Sequence, residues 1–286
     1  MLGAICGDIV GSYWEFKEEK PDDRKSPLFR PESIISDDSI LTIATAEAIL
    51  RGQFYTELYQ SFCRRYVNYG YGPSFMNWAH ASESYTKPNY SWGNGSAMRV
   101  SPIGWAFNTP QSVMIEAQQS ASITHCHPEA IKGAQATALA VFMVRAGASK
   151  EDISQVMVEW FNYNLDIDLE DYHVEYKFDV SCMGTVPPAI ACVLQANSFE
   201  DVLQNGLYIG GDTDTLLSIA GAIAEPLYGI PKDIREKTEA IVLKNSPVLL
   251  ATIHEFEAKY GCGKAMPSTE VFNVLGSLRK LLGKKR

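Results

Sequence analysis

The sequence predicts an all-α fold, a single compact multi-helix domain over residues 1–286. Three observations carry this expectation. Apolar side chains recur at i, i+3, i+4 and i+7 along most of the chain, the period of a helix with one buried face. The Val/Ile/Thr alternation of a half-buried strand is nearly absent. No composition shift and no Pro-, Ser- or Gly-rich linker divides the chain, and its 46% hydrophobic content suffices for one large core.

Residues 1–12 space Gly3, Gly7 and Gly11 among Leu2, Ile5, Ile9 and Val10. On a helix this makes a flat stripe that another helix can approach closely. Asp8 sits inside this apolar segment and needs a hydrogen-bond partner or a cation. Residues 17–35 follow Glu15, are charged, and carry Pro21, Pro27 and Pro31. They predict a loop, either a lid over a site or a plain surface loop. Ser36-Asp37-Asp38-Ser39 then opens a helix with Ile40, Ile43, Ala44 and Ala48 on one face.

A helix is expected over 54–70, ended by Gly70, Gly72 and Pro73, then helix passing into loop over 74–91. Gly93-Asn94-Gly95 signals a tight turn, and 97–107 a short helix bent near Pro102. Helices follow at 110–123, at 128 onward with Ala130, Ala134, Thr137, Ala138 and Val141 on one face, and at 150–162. Residues 163–180 are acidic and aromatic, a short strand or an extended loop. Pro187 and Pro188 mark the start of a helix that continues to Leu194. Helices at 199–207 and 216–225 follow, the second ended by the stretch from Pro226 to Pro231. Helices near 232–244, 247–259 and 269–282 close the chain.

The net charge of −9 argues against nucleic acid or a membrane surface as a partner. The basic residues Arg279, Lys280, Lys284, Lys285 and Arg286 read as a solvated helix end. Six cysteines show no CxxC spacing, so they are expected to be reduced thiols rather than zinc ligands. Asp8 interrupts the only apolar stretch near the start, and no run is long enough to span a membrane. A cytoplasmic protein is expected.

Two hydroxyl–acid clusters open apolar helices, Ser36-Asp37-Asp38 and Asp212-Thr213-Asp214-Thr215, the second preceded by Gly210-Gly211. Each can be a helix cap and nothing more. If their helices pack side by side, the carboxylates converge with Glu15 into an all-oxygen site for hard divalent ions, Mg²⁺ or Mn²⁺ rather than zinc. The turn at Gly93 can offer amides to a phosphate or serve only as a turn. His125 and His127 can chelate a metal, though an i, i+2 pair with no third ligand nearby more often contacts backbone or substrate.

Gly7-Asp8 with Gly11 and Glu15, Ser36-Asp37-Asp38, Gly93-Asn94-Gly95 with Met98-Arg99, Thr124-His125, and Gly210 to Thr215 occur in this order over residues 3–225. The set resembles the ADP-ribosylglycohydrolase family, which includes the dinitrogenase reductase-activating glycohydrolase and ADP-ribosyl-arginine and ADP-ribosyl-serine hydrolases. The resemblance implies an all-α fold with two Mg²⁺ or Mn²⁺ ions at the bottom of an ADP-ribose cleft. It implies Ser36, Asp37, Asp38, Asp212, Asp214 and Thr215 as metal ligands and Glu15 as the mobile-loop glutamate. Ser91, Trp92, Gly93 and Asn94 correspond to the diphosphate and adenine-side loop, and His125 to a histidine lining the cleft. Gly210 and Gly211 are expected to let the backbone pass close to the ribose. The family's usual threonines in the first acidic motif are Ser36 and Ser39 here. The implied activity is hydrolysis at C1″ of ADP-ribosylated substrates, first of ADP-ribosyl-arginine on protein, with Asp37, Asp38 or Glu15 as base. The alternatives are a hydrolase of small ADP-ribosyl compounds or modified nucleic acid, and a non-catalytic ADP-ribose binder.

Overall fold

The structure is a computed structural model that describes residues 1–81 and 88–261. Among these are fourteen α-helices, one 3₁₀ turn and no strand. The basic tail, Cys262 and the helix expected over 269–282 lie outside the described residues. No helix among the described residues is long and apolar enough to cross a membrane. The five cysteines among them are free thiols.

The core is organised on α1 (Leu2–Gly11) and α12 (Thr213–Tyr228), which run antiparallel in backbone contact. Every residue of α1 is buried. A Cβ on Gly3 would stand 2.3 Å from Gly221 O, one on Gly7 1.9 Å from Leu217 O, and one on Gly11 2.5 Å from the Asp214 amide nitrogen. The stripe of small residues therefore sets the spacing between the helices, and even alanine does not fit it. At the far end Glu225 Oε2 accepts from the Gly3 amide at 2.9 Å and from the Met1 ammonium. At the near end the antiparallel arrangement delivers the C-terminus of α1, and hence Glu15, to the N-terminus of α12.

Around this pair lie α2 (Asp37–Arg51), α3 (Tyr55–Arg65), α4 (Pro73–His80), α5 (Ser101–Ala106), α6 (Pro110–Ser122) and α7 (Pro128–Arg145). They are followed by α8 (Lys150–Phe161), α9 (Leu169–Glu175), α10 (Cys182–Leu194) and α11 (Phe199–Ile209). Two outer helices, α13 (Lys232–Asn245) and α14 (Pro247–Tyr260), complete the described chain. Buried Leu, Ile and Phe side chains on the inner faces each contribute roughly 1.5–3 kcal/mol by removal from water.

Five local expectations change. The segment 163–180 contains α9 rather than a strand, capped by Asp168, whose side chain accepts from the Glu170 amide at 2.8 Å. Helix α10 begins at Cys182 and runs through Pro187 and Pro188. Pro188 cannot bond the Gly184 carbonyl, and the Tyr176 hydroxyl donates to that carbonyl instead at 2.9 Å. Pro226 likewise lies inside α12, which ends at Gly229 with φ +70. Pro102 opens α5 rather than bending it, since its missing N–H falls where a helix has no acceptor to offer. Helix α3 also stops at Arg65, short of the expected Gly70.

Candidate functional site

Helix α2 starts where the sequence places it. The Ser36 hydroxyl caps it by accepting from the Asp38 amide at 3.2 Å, so Asp37 and Asp38 occupy its first turn. Asp8 fixes this start from the neighbouring helix α1. Its Oδ2 accepts from the Ser36 amide at 2.9 Å, from the Ser39 amide at 3.1 Å and from the Ser39 hydroxyl. Asp8 Oδ2 thus finds three donors and ties Ser36 and Ser39, the two ends of the motif, while its Oδ1 is buried without a partner. Its pKa is nevertheless pushed up to about 6, by burial above all.

The two acidic clusters converge. The Thr215 hydroxyl donates to Asp38 Oδ2 at 3.2 Å, and the Ser36 hydroxyl reaches the same oxygen at 3.3 Å. Carboxylate oxygens of Glu15, Asp212 and Asp214 lie within 4.8 Å of one another. Asp38, Asp212, Asp214 and Thr215 are buried, while Asp37 and Glu15 are partly open to the cleft. Asn94 donates to Asp212 Oδ2 at 2.7 Å and to the Thr185 hydroxyl on α10 at 3.0 Å, so it braces one carboxylate of the cluster.

Such crowding is costly for bare carboxylates. Burial, then Asp8 and the neighbouring acids, raises Asp37 and Asp38 well above the usual range. Burial, then Asp38 and Asp212, does the same to Asp214. Glu15 is pushed up to about 7, by burial first and Asp212 second. No Lys or Arg forms an ion pair with any of these acids among the described residues. Asp38 Oδ1 is buried without a hydrogen-bond partner. An all-oxygen donor set, several negative charges and an orphaned carboxylate oxygen fit hard divalent cations. The residues able to hold them are Ser36, Asp37, Asp38, Asp212, Asp214, Thr215 and Glu15.

This cluster floors a cleft of about 370 Å³ walled by Phe75, Gly93, Asn94, His125, Phe178 and Val180. The Arg99 guanidinium, fully buried, donates to the Thr124 hydroxyl at 2.7 Å, and that hydroxyl lies 2.7 Å from His125 Nδ1. Arg99 takes one lone pair of the Thr124 hydroxyl and leaves its proton free for Nδ1, the arrangement in which Nε2 carries the ring N–H. Burial and then the Arg99 charge push the His125 pKa down to about 3, so the ring is neutral. His127 does not join it as a chelator. It caps α7, its Nδ1 accepting from the Glu129 amide at 3.1 Å.

The loop at 91–94 is stitched to the start of α10. The Asn94 amide donates to Val180 O at 2.8 Å and the Cys182 amide to Trp92 O at 3.0 Å. Trp92 stands half-exposed beside the cleft, its ring edge-on to His127 at 6.1 Å between centroids. With Ser74, Asn89, Tyr90 and Ser91 it lines an adjoining cavity of about 360 Å³.

Gly210 and Gly211 have φ of +71 and +90, which favours glycine at both. The space of a side chain is also occupied there. A Cβ at 210 would meet Lys20 Cε at 2.9 Å, and one at 211 would meet the Tyr176 ring at 2.4 Å. The glycine pair thus seats one residue from each of two segments, 17–35, expected as a lid or a plain surface loop, and 163–180, expected as a short strand or an extended loop. The Lys20 ammonium continues past Gly210 to the C-terminal end of α9, donating to His173 O and Tyr176 O at 2.8 Å each. No local pattern announces Lys20 or Tyr176. The positive-φ glycines were the available signal, since such a pair often marks a close approach.

The sequence profile of the ADP-ribosylglycohydrolase family matches residues 1–260, which takes in all fourteen helices. The chain belongs to the ADP-ribosylglycohydrolase family. Among its relatives is the mouse (Mus musculus) protein named ADP-ribosylhydrolase ARH3, 25% identical, with 89% of this chain and 90% of that protein covered. The Pseudomonas putida protein named ADP-ribosylarginine hydrolase Tri1 is 23% identical over 80% of this chain and 70% of its own length. A solved structure titled ADP-ribosylglycohydrolase-related protein complex superposes with a TM-score of 0.64 at 23% identity, covering 88% of this chain and 95% of that one. This last likeness is one of fold. In this ADP-ribosylglycohydrolase, the first acidic motif carries serine at 36 and 39, and both hydroxyls are already bonded, to Asp38 and to Asp8.

Proposed function

We propose that the chain is a divalent-cation-dependent hydrolase that cleaves the C1″ glycosidic bond of ADP-ribosylated substrates and releases ADP-ribose. One observation carries the reading: two acidic helix starts, far apart in sequence, share the Thr215–Asp38 hydrogen bond and meet Glu15 at the floor of a cleft. Family membership and the names of the relatives support the substrate class. ADP-ribosyl-arginine on protein is the first linkage to assay, because one relative is named for it.

Two Mg²⁺ or Mn²⁺ ions held by Ser36, Asp37, Asp38, Asp212, Asp214 and Thr215 would supply Lewis acidity and neutralise the carboxylates. The chain's own residues do the rest. Trp92 and Tyr90 offer faces for the adenine. The Nε2–H of His125 donates to an oxygen of the diphosphate or the proximal ribose, and its neutrality keeps it a fixed dipole across working pH. Glu15, partly open to the cleft, takes a proton from the attacking water; Asp37 is the alternative base. The wall formed by Phe75, Phe178 and Val180 limits water to the reacting face.

The test is release of ADP-ribose from arginine-, serine- and acetyl-linked substrates while Mg²⁺ or Mn²⁺ is titrated. Asp212→Ala with Asp214→Ala should abolish both metal binding and release. Binding of ADP-ribose without turnover on any linkage would replace the enzyme by a binder.

A further inference from the structure

Beyond the acid-floored cleft lies a larger cavity of about 680 Å³, opening from it at Glu15 and Phe178. It is built where the loop after α1 meets the segment before α10. Lys17 and Lys20 come from the first, Tyr176 and Lys177 from the second, and the Phe16 and Phe178 rings meet across the boundary at 5.8 Å between centroids.

Three cavities thus stand in a row. The outer one at Tyr90 and Trp92 shares Ser74, Asn89 and Ser91 with the cleft, and the lysine-bearing one shares Glu15 and Phe178 with it. The acid floor is in the middle. A nucleoside base suits the first cavity, where Tyr90 and Trp92 offer aromatic faces and none of the described lining residues is charged. The diphosphate then lies along Gly93 and His125, and the distal ribose over the carboxylates. What is bonded to C1″ points onward, into the third cavity.

That cavity has a distinctive charge in a chain of net −9. Lys17, Lys20 and Lys177 line it against Glu18 and Glu15, and Glu15 turns toward Asp212 and Asp214. None of the three lysines has an acidic partner within ion-pair distance among the described residues. Lys20 is satisfied by carbonyls and Lys17 lies over the Tyr13 ring at 4.5 Å. Lys177 is exposed and close enough that its charge, after burial, lowers the Lys20 pKa. Lys17 and Lys177 thus line one cavity without an acidic partner among the described residues, a setting that favours an anion there.

We propose that this cavity is the acceptor subsite and that Lys177 and Lys17 select acceptors carrying negative charge next to the scissile bond. The inference rests on the C1″ hydrolase reading. The negative charge comes either from acidic residues flanking the modified side chain of a protein or from a small anionic group bonded to C1″. The lysines offset the repulsion between such an acceptor and the carboxylate floor, and they act on the acceptor, not on the ADP-ribose.

The experiment compares kcat/KM for ADP-ribosylated peptides of one linkage, flanked by Glu or by Lys, and for ADP-ribose 1″-phosphate as the small anion. Wild type should favour the Glu-flanked peptide roughly three- to tenfold, the range set by one or two exposed charge pairs. Lys177→Glu should bring that ratio to one or invert it, and 0.5 M salt should shrink it. A preference confined to the 1″-phosphate, again lost in Lys177→Glu, identifies the small anion as the source. Equal rates for both peptides and no sensitivity of any substrate to Lys177→Glu overturn the proposal. If no substrate releases ADP-ribose, the hydrolase reading fails on its own. The same peptides, displacing labelled ADP-ribose from wild type and variant, then decide the acceptor preference by affinity.

Discussion

The Thr215 hydroxyl lies 3.2 Å from Asp38 Oδ2 and donates to it. The first turn of α12 and the first turn of α2 therefore touch side chain to side chain, with Asp214 and Asp212 on one flank and Asp37 on the other. Each helix start presents its dipole's positive end to the same point. Those dipoles temper the crowded carboxylates without cancelling their mutual repulsion, as the raised pKa values of Asp37, Asp38 and Asp214 show.

Replacing Asp214 by Asn should separate stability from function. Asn keeps an oxygen for the Thr215 amide, which Asp214 Oδ1 now accepts at 2.9 Å. It removes a buried charge. The metal-free variant should melt about 2–4 °C above wild type, lose the melting-temperature gain on Mn²⁺ addition, and release no ADP-ribose. Calorimetry with and without Mn²⁺ checks all but the last; a retained Mn²⁺ gain would remove Asp214 from the ligand set.

The pH dependence of metal-free stability has a definite sign. Asp8 and Glu15 rise in the folded protein from ordinary values of 3.8 and 4.5 to about 6 and about 7. A raised acid pKa means that the folded state holds its proton longer than the unfolded state does. The stabilisation is full below the unfolded values and is lost as pH climbs through the folded ones. Without divalent ions, the melting temperature should fall between about pH 4 and pH 8. Mg²⁺ should restore more at pH 8 than at pH 5, because it binds the deprotonated acids. Thermal scans in EDTA and in Mg²⁺ across that range test the sign.

Lys20→Met should loosen one segment rather than unfold the protein. It keeps the stem over Gly210 but loses the donors to His173 O and Tyr176 O. A net loss of about 1–2 kcal/mol is expected. Amide exchange should accelerate at residues 17–25 and 172–178 and stay unchanged in α12. Faster exchange throughout α12 would mean that Lys20 supports the core and not the loop.

His125 should stay neutral, with the proton on Nε2, from pH 5 to pH 9. Nitrogen-15 shifts of the ring report tautomer and charge directly. Thr124→Val removes the hydroxyl bonded to Nδ1 and should allow a mixture of tautomers, with a severalfold rise in KM if the Nε2–H binds substrate. Imidazolium at pH 6 in wild type would contradict the Arg99–Thr124–His125 relay.

Much of this was legible in the sequence, for a physical reason. Helix periodicity is local, so α1, α2, α6, α8 and α11 fall close to where apolar spacing puts them. The acidic motifs were visible because two carboxylates exceed what a cap requires. The missed features are those set by distant partners. Pro187 and Pro188 read as a helix start, since nothing nearby says that the Tyr176 hydroxyl will serve the Gly184 carbonyl. Asp8 announced that it needed a partner, but the partners, Ser36 and Ser39, lie beyond a loop. Asn94 lines the cleft as expected of a substrate contact, but its bond to Asp212 was not legible, because it depends on partners far along the chain.

The glycine stripe between α1 and α12 has a mechanical consequence. Backbone against backbone at Gly3, Gly7 and Gly11 leaves no side chain that could change rotamer to take up a displacement. The two helices translate together or not at all. Any opening that moves Glu15 must therefore be absorbed in the few residues after Gly11, where the Ser12 hydroxyl donates to Ile9 O and accepts from the Ile34 amide. Ser12 would then be the pivot of any such opening, with the carboxylates of α12 keeping their places.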